Sequence, residues 1–169
     1  NVWDKTNISV VEKAIRETDI HEPITSLITI ENTHNACGGK ILPFSYLTYL
    51  RGISDKHNLP IHMDGARLWN ALQEYKEEPK EIAKNVDSLS VCLSKGLGSP
   101  IGSLLIGTEK FIKKARRIRK ALGGGMRQTG FVSSAGLVAL NDFNTGILKR
   151  DHERIKRVAN VIKDFKYFT

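Results

Sequence analysis

The sequence is poor in the features that would decide its class at once. Cysteine appears only as Cys37, in a loop by its neighbours, and Cys92, in a strand-like run. With no export signal opening the chain, two such thiols point to reduced cysteines in a cytoplasmic protein rather than a disulfide. No apolar run is long enough to span a bilayer, so no membrane association is expected. The Gly-x-Gly-x-x-Gly and Gly-x-x-x-x-Gly-Lys-Ser/Thr loops are missing, and Gly96, Gly98 and Gly102 do not keep either spacing. Rossmann and P-loop readings are therefore weak. His62 and Asp64 alternate onto one strand face. Without a third and fourth ligand at usable spacing they make no metal site. Position 1 is Asn rather than Met, which leaves open a piece of a longer chain or a processed mature form.

Acidic residues are also outnumbered, with 18 Asp and Glu against 26 Lys and Arg, a net charge of +8 and a pI near 9.6. That balance could suit nucleic acid. Much of the excess, however, sits between Lys110 and Lys120, where Phe111, Ala115, Ile118 and Leu122 recur at helical spacing. This predicts an amphipathic helix with a solvated basic face. No aromatic interleaving or nucleic-acid motif accompanies it, so no nucleic-acid partner is expected. The 169 residues, 40% hydrophobic and 26% charged, suffice for one domain with a real core.

Along the chain, Ser9 to Glu12 reads as a capping box opening a helix to about Thr18. Ile24 to Ile30 is a β-rich run, followed by a polar loop to Leu42 and a helix from Phe44 to His57. Pro60 to Asp64 predicts a strand, with helical material near 68–75 and 80–85. Strands follow at Ser88 to Leu93 and Ile101 to Gly107, then the basic helix, a glycine-rich loop at 123–130 and a mostly helical remainder. Alternating strand and helix predicts an α/β fold, a mostly parallel sheet with helices on both faces. No linker or repeat marks a domain boundary.

Against this background two residues stand out. Asp64, in Pro-Ile-His-Met-Asp-Gly-Ala-Arg, and Lys95, in Val-Cys-Leu-Ser-Lys-Gly-Leu-Gly, each lie where a strand-like run breaks at glycine. They are 31 positions apart, about one βαβ unit. Both would then reach the C-terminal edge of one sheet, where open α/β sheets bind ligands. A lysine and an acid there suit pyridoxal phosphate (PLP). The amine forms a Schiff base with the aldehyde, and the carboxylate keeps the pyridine nitrogen protonated. Burial beside a cationic ring would lower the pKa of such a lysine. Taken singly, each residue also fits a plain turn: Asp before Gly is a turn former, and Lys in Ser-Lys-Gly is commonly solvated.

Further candidates gather around that pair. Arg67 could bind a carboxylate or the cofactor's phenolic oxygen through its planar fork, or simply form a surface ion pair. His34, in Glu-Asn-Thr-His-Asn, would share the edge. It could stack on a ring or take a proton from a hydroxyl, or be an ordinary loop histidine. Gly123-Gly-Gly-Met-Arg127 suits anion binding or a flexible turn, and Lys120 precedes it.

These segments together resemble the low-specificity L-threonine aldolases of PLP fold type I. The stretches that carry the resemblance are Glu-Asn-Thr-His-Asn (31–35), Gly-Gly-Lys-Ile-Leu-Pro (38–43), His-Met-Asp-Gly-Ala-Arg (62–67), Cys-Leu-Ser-Lys-Gly-Leu-Gly-Ser-Pro-Ile-Gly-Ser (92–103) and Arg-Lys-Ala-Leu-Gly-Gly-Gly-Met-Arg-Gln (119–128). The resemblance implies Lys95 as the Schiff-base lysine and Asp64 as the partner of the pyridine nitrogen. Arg67 would contact cofactor and substrate, and His34 would lie near the substrate hydroxyl. Lys120 would bind substrate, and Arg127 the cofactor across a subunit interface. The implied reaction is retro-aldol cleavage of threonine or allo-threonine to glycine and acetaldehyde, in a homo-oligomer, dimer or tetramer. The family's N-terminal phosphate loop and C-terminal small domain have no match here. Residues 1–169 thus read as a partial PLP-binding large domain. A related β-eliminating lyase and a non-catalytic half-enzyme that binds a partner subunit are the alternatives.

Overall fold

A computed structural model describes residues 8–165. Four strands, β1 (Ile28–Glu31), β2 (Ile61–Gly65), β3 (Ser88–Cys92) and β4 (Ser103–Gly107), form one sheet in that order. The first three are parallel, with Ile28 opposite Ile61 and His62 opposite Ser88. β4 runs antiparallel to β3, Ser88 facing Gly107 and Cys92 facing Ser103. Around them lie α1 (Ser9–Lys13), α2 (Phe44–His57), α3 (Leu68–Ala71), α4 (Pro79–Ala83), α5 (Glu109–Ala121), α6 (Gly130–Asn144) and α7 (Ile147–Ile162).

The two-residue period of a strand sorts the sheet into unlike faces. Ile28, Ile61, Met63, Leu89 and Val91 point one way and are buried. Leu47 and Leu50 of α2, Leu68 and Ala71 of α3 and Ile82 of α4 join them in two adjoining core clusters. Each such leucine contributes about 1.5–3 kcal/mol on burial. Gly65 lets α3 close in: a Cβ there would meet Ser90 O at 2.9 Å and Leu68 Cβ at 3.1 Å. The other face carries Thr29, His62, Asp64, Ser88 and Ser90, and His62 Nδ1 lies 2.9 Å from Ser88 Oγ. Toward β4 this face turns apolar. Leu105 there shares a groove with Phe111, Ala115 and Ile118 of α5. Helices thus flank both faces of a mostly parallel sheet, as the alternation predicts. A third cluster, Leu93, Leu97, Ala139 and Leu148, ties α6 and α7 to the segment after β3. Among the described residues no helix is long and apolar enough to cross a membrane.

Two of the boundaries that differ from the sequence reading are explained by their partners. The first strand begins at Ile28 rather than Ile24, because its partner begins only after Pro60, whose carbonyl accepts the Ile28 N–H at 2.9 Å. Residues 24–27 have the propensity but no ladder to join, and Ile24 is exposed. The first helix has Ile8 at its N-cap and ends at Lys13, not Thr18. Glu12, expected to close a capping box, instead meets Lys56 Nζ at 2.6 Å and His57 Nε2 at 3.0 Å on α2.

Asp87 organises the start of the parallel ladder. Its N–H donates to Ile61 O at 2.9 Å, and its Oδ2 accepts from Ile61 N at 2.7 Å. Arg51 of α2 adds Nη1 at 2.9 Å from the same oxygen. Partial burial alone would raise the Asp87 pKa. The Ile61 N–H and the Arg51 guanidinium outweigh it and hold the carboxyl below its ordinary value. A depressed folded-state pKa means stability that is in place above the unfolded value and lost as pH falls through the folded one. Asp87→Asn is expected to lower the urea midpoint at pH 7 and to narrow the gap from wild type as pH falls toward 3. A constant gap across that range would show that the carboxylate charge contributes nothing.

Candidate active site

Parallel strands deliver their C-terminal ends to one edge, and the loops that leave this edge carry the candidate residues. Lys95 lies three residues beyond β3. Its turn is closed by Gly98 N donating to Lys95 O at 2.9 Å and Ser99 N to Leu93 O at 3.0 Å. The left-handed φ of 75° at Gly98 is one that a side chain would resist. Arg67 is the N-cap of α3, three residues after Asp64. Lys95 and Arg67 line one cavity of about 370 Å³ with Thr33, Gly39, Ile41, Asn70, Gly96 and His152. An amine, a guanidinium, a hydroxyl, an amide and an imidazole therefore converge on one space.

The loop after β1 is held by a buried asparagine. Asn32 is fully buried; its N–H donates to Asp64 O at 2.9 Å. Its Nδ2 donates to Tyr75 Oη at 2.8 Å, and its Oδ1 accepts from Leu42 N at 3.3 Å. Tyr75 Oη in turn donates to Leu42 O. Burial raises the Tyr75 pKa above its ordinary value, which keeps the phenol a donor; the Asn32 hydrogen bond pulls the other way. This network pins both ends of the segment that carries Thr33 and His34. His34 N donates to Lys40 O at 3.0 Å, and its Nε2 stands 3.4 Å from Glu31 Oε2. The ring is mostly covered, with its side chain 15% exposed.

The sequence candidates are therefore only partly united. His34, Asp64 and Lys95 all belong to the C-terminal edge of adjacent strands. Asp64, however, does not line the cavity. It is exposed on the sheet's polar face, in register with Glu31 and Ser90, and its Oδ1 accepts the Ala66 N–H at 2.9 Å. It thus also makes the turn-forming contact. Lys95 is exposed rather than buried, although it lines the cavity. Lys120, at the end of α5, and Arg127 do not line this cavity either. Asn70 and His152 do, and the sequence reading passed over both. Their contact spans 82 positions, so no local motif announces it.

The β-eliminating lyase family model matches residues 4–169. The chain belongs to the β-eliminating lyase family. Within it, the chain is 46% identical over 154 residues to "Probable low-specificity L-threonine aldolase 2" of Arabidopsis thaliana, covering 90% of this chain and 43% of that one. It is 45% identical over 154 residues to the low specificity L-threonine aldolase of Escherichia coli strain K12, covering 91% and 45%. The solved threonine aldolase of Leishmania major shares the fold with a TM-score of 0.73 at 23% identity, over 92% of this chain and 45% of that one. The chain thus spans less than half the length of these relatives.

Asn32→Ala would remove a buried amide and leave the Leu42 N–H without its side-chain acceptor. It is expected to cost about 1–3 kcal/mol in urea unfolding. Tyr75→Phe, which deletes one hydroxyl of the same network, is expected to cost less. A neutral Asn32→Ala would show that the loop is anchored elsewhere.

Proposed function

We propose that this chain is the lysine-bearing part of a PLP-dependent aldolase that cleaves L-threonine or L-allo-threonine to glycine and acetaldehyde. The observation that carries the reading is the meeting of Lys95 and Arg67 in one cavity at the C-terminal sheet edge, with His34 and Asp64 on the same edge. The aldolases among its relatives give the reaction class.

The donor set suits the cofactor. Lys95 Nζ offers an amine to the aldehyde, Arg67 offers paired N–H donors to an anionic oxygen, and Asp64, on the same sheet edge but outside the cavity lining, offers a carboxylate to a protonated ring nitrogen. When bound, PLP supplies an electron sink for the pair released at Cα. The chain's residues would do the rest. Arg67 would orient the amino-acid carboxylate. His34, its ring steadied by Glu31, would take the β-hydroxyl proton while the Cα–Cβ bond breaks and acetaldehyde departs. A proton delivered to Cα then completes glycine. Arg127 is assigned to the cofactor across a subunit interface of a homo-oligomer, and Lys120 to the substrate.

The test is threonine cleavage and visible absorbance of the protein with PLP. Lys95→Ala is expected to lose both the long-wavelength band and turnover. His34→Ala should keep the band and lower kcat about 10²- to 10⁴-fold. Asp64→Asn should retain the fold and lose most activity. A band that persists in Lys95→Ala overturns the assignment.

A further inference from the structure

Asn70 and His152 line the cavity beside Lys95 and Arg67 without a part in the chemistry above. Their contacts form a chain that leads to Lys95. A Cβ built on Gly96 would lie 2.6 Å from Asn70 Oδ1, so the Asn70 amide is seated against the backbone of the residue that follows Lys95. Asn70 Nδ2 stands 3.4 Å from His152 Nε2. His152 Nδ1 is 2.9 Å from Glu74 Oε1. Lys156, one turn further along α7, places Nζ 3.1 Å from that oxygen and 3.4 Å from Oε2.

The proton positions follow from this arrangement. The His152 hydrogen bond, and then Lys156, hold the Glu74 carboxyl below its ordinary pKa, so it remains an acceptor. A carboxylate facing Nδ1 fixes the imidazole proton on that nitrogen. Nε2 then presents a lone pair, which the Asn70 N–H meets. A second proton on the ring would set donor against donor. The Asn70 amide would have to turn over, exchanging oxygen for nitrogen against Gly96. The charged groups around His152 are Glu74 in contact, Lys156 on that same carboxylate, and Arg67 and Lys95 across the shared cavity.

We propose that His152, held by Glu74, is a positioning residue for Lys95 and acts through the Asn70 amide on Gly96. The proposal rests on the reading of Lys95 as the cofactor lysine. It assigns His152 no contact with substrate, so its influence falls on the lysine's placement and environment.

The test compares His152→Phe with His152→Gln in the holoenzyme. Gln can offer an amide oxygen to Asn70 near the place of Nε2, and Phe cannot. His152→Phe is expected to lower kcat roughly 10- to 100-fold with KM nearly unchanged. It should also move the pH midpoint of the bound cofactor's visible absorbance, and His152→Gln should restore most of both. A rise in KM at constant kcat, an unmoved midpoint, or equal losses in the two variants overturns the proposal. Should His152→Phe fail to fold, ¹⁵N NMR of the unsubstituted protein decides. In the neutral ring the proton is expected on Nδ1, facing Glu74, and a neutral ring with its proton on Nε2 overturns the proposal. A visible band that survives Lys95→Ala overturns the reading of Lys95 itself, and this proposal with it; the NMR result is independent of that reading.

Discussion

The parallel pairing of β1, β2 and β3 is the constraint from which the candidate site follows. A parallel ladder cannot be joined by a tight turn, so the chain must cross back over the sheet before each new strand. It does so through α2 and again through α3 and α4. These three strands then end at the same edge, and the loops carrying His34, Arg67 and Lys95 are neighbours because of it. The register is not free to slip. A shift of one residue would turn Ile61 and Met63 away from Leu47 and Leu50 and bring His62 and Asp64 into the core. The apolar face therefore sets the position of the polar edge residues without touching them.

A second layer of control lies in two polar side chains, Asn32 buried and Asp87 exposed. Each accepts a backbone N–H, Asn32 from Leu42 in the loop after β1 and Asp87 from Ile61 where β2 begins. A hydrophobic residue of similar size would fill the same space but leave those N–H groups unpaired. Asn32 has the added effect that its loop is fastened to Tyr75, beyond α3, and so to the element that carries Arg67 and Asn70.

Much of this was legible in the sequence, for identifiable reasons. The α2 boundaries follow from apolar residues at Leu47 and Leu50 on a helical repeat, and the strand ends expected at Asp64 and Leu93 lie within one residue of those found, Gly65 and Cys92. Local signals failed where partners decide. Ile24 to Leu27 look like strand and have no neighbour to pair with. Glu12 found Lys56 and His57, more than forty positions away, instead of its own helix end. The direction of β4 was available in principle, since the span from Cys92 to Ser103 is short for a crossover. The pairing of Asn70 with His152 was not available, because it depends on α7 folding back over α3.

The reversal at β4 has a consequence for how the lysine's surroundings come together. Of the three pairings in the described sheet, β3 with β4 alone is antiparallel. The loop that holds Lys95 is therefore a closed ring, sealed by Leu93 N to Gly102 O at 2.9 Å and continuous with the ladder below it. Closing a flexible loop costs entropy that grows slowly with its length, about 0.6 kcal/mol for each doubling. The Lys95 ring is the shortest connection in the sheet, so its closure carries the smallest such cost. The lysine's immediate frame is thus encoded in one stretch of about twenty residues, whereas the groups that face it arrive by longer routes.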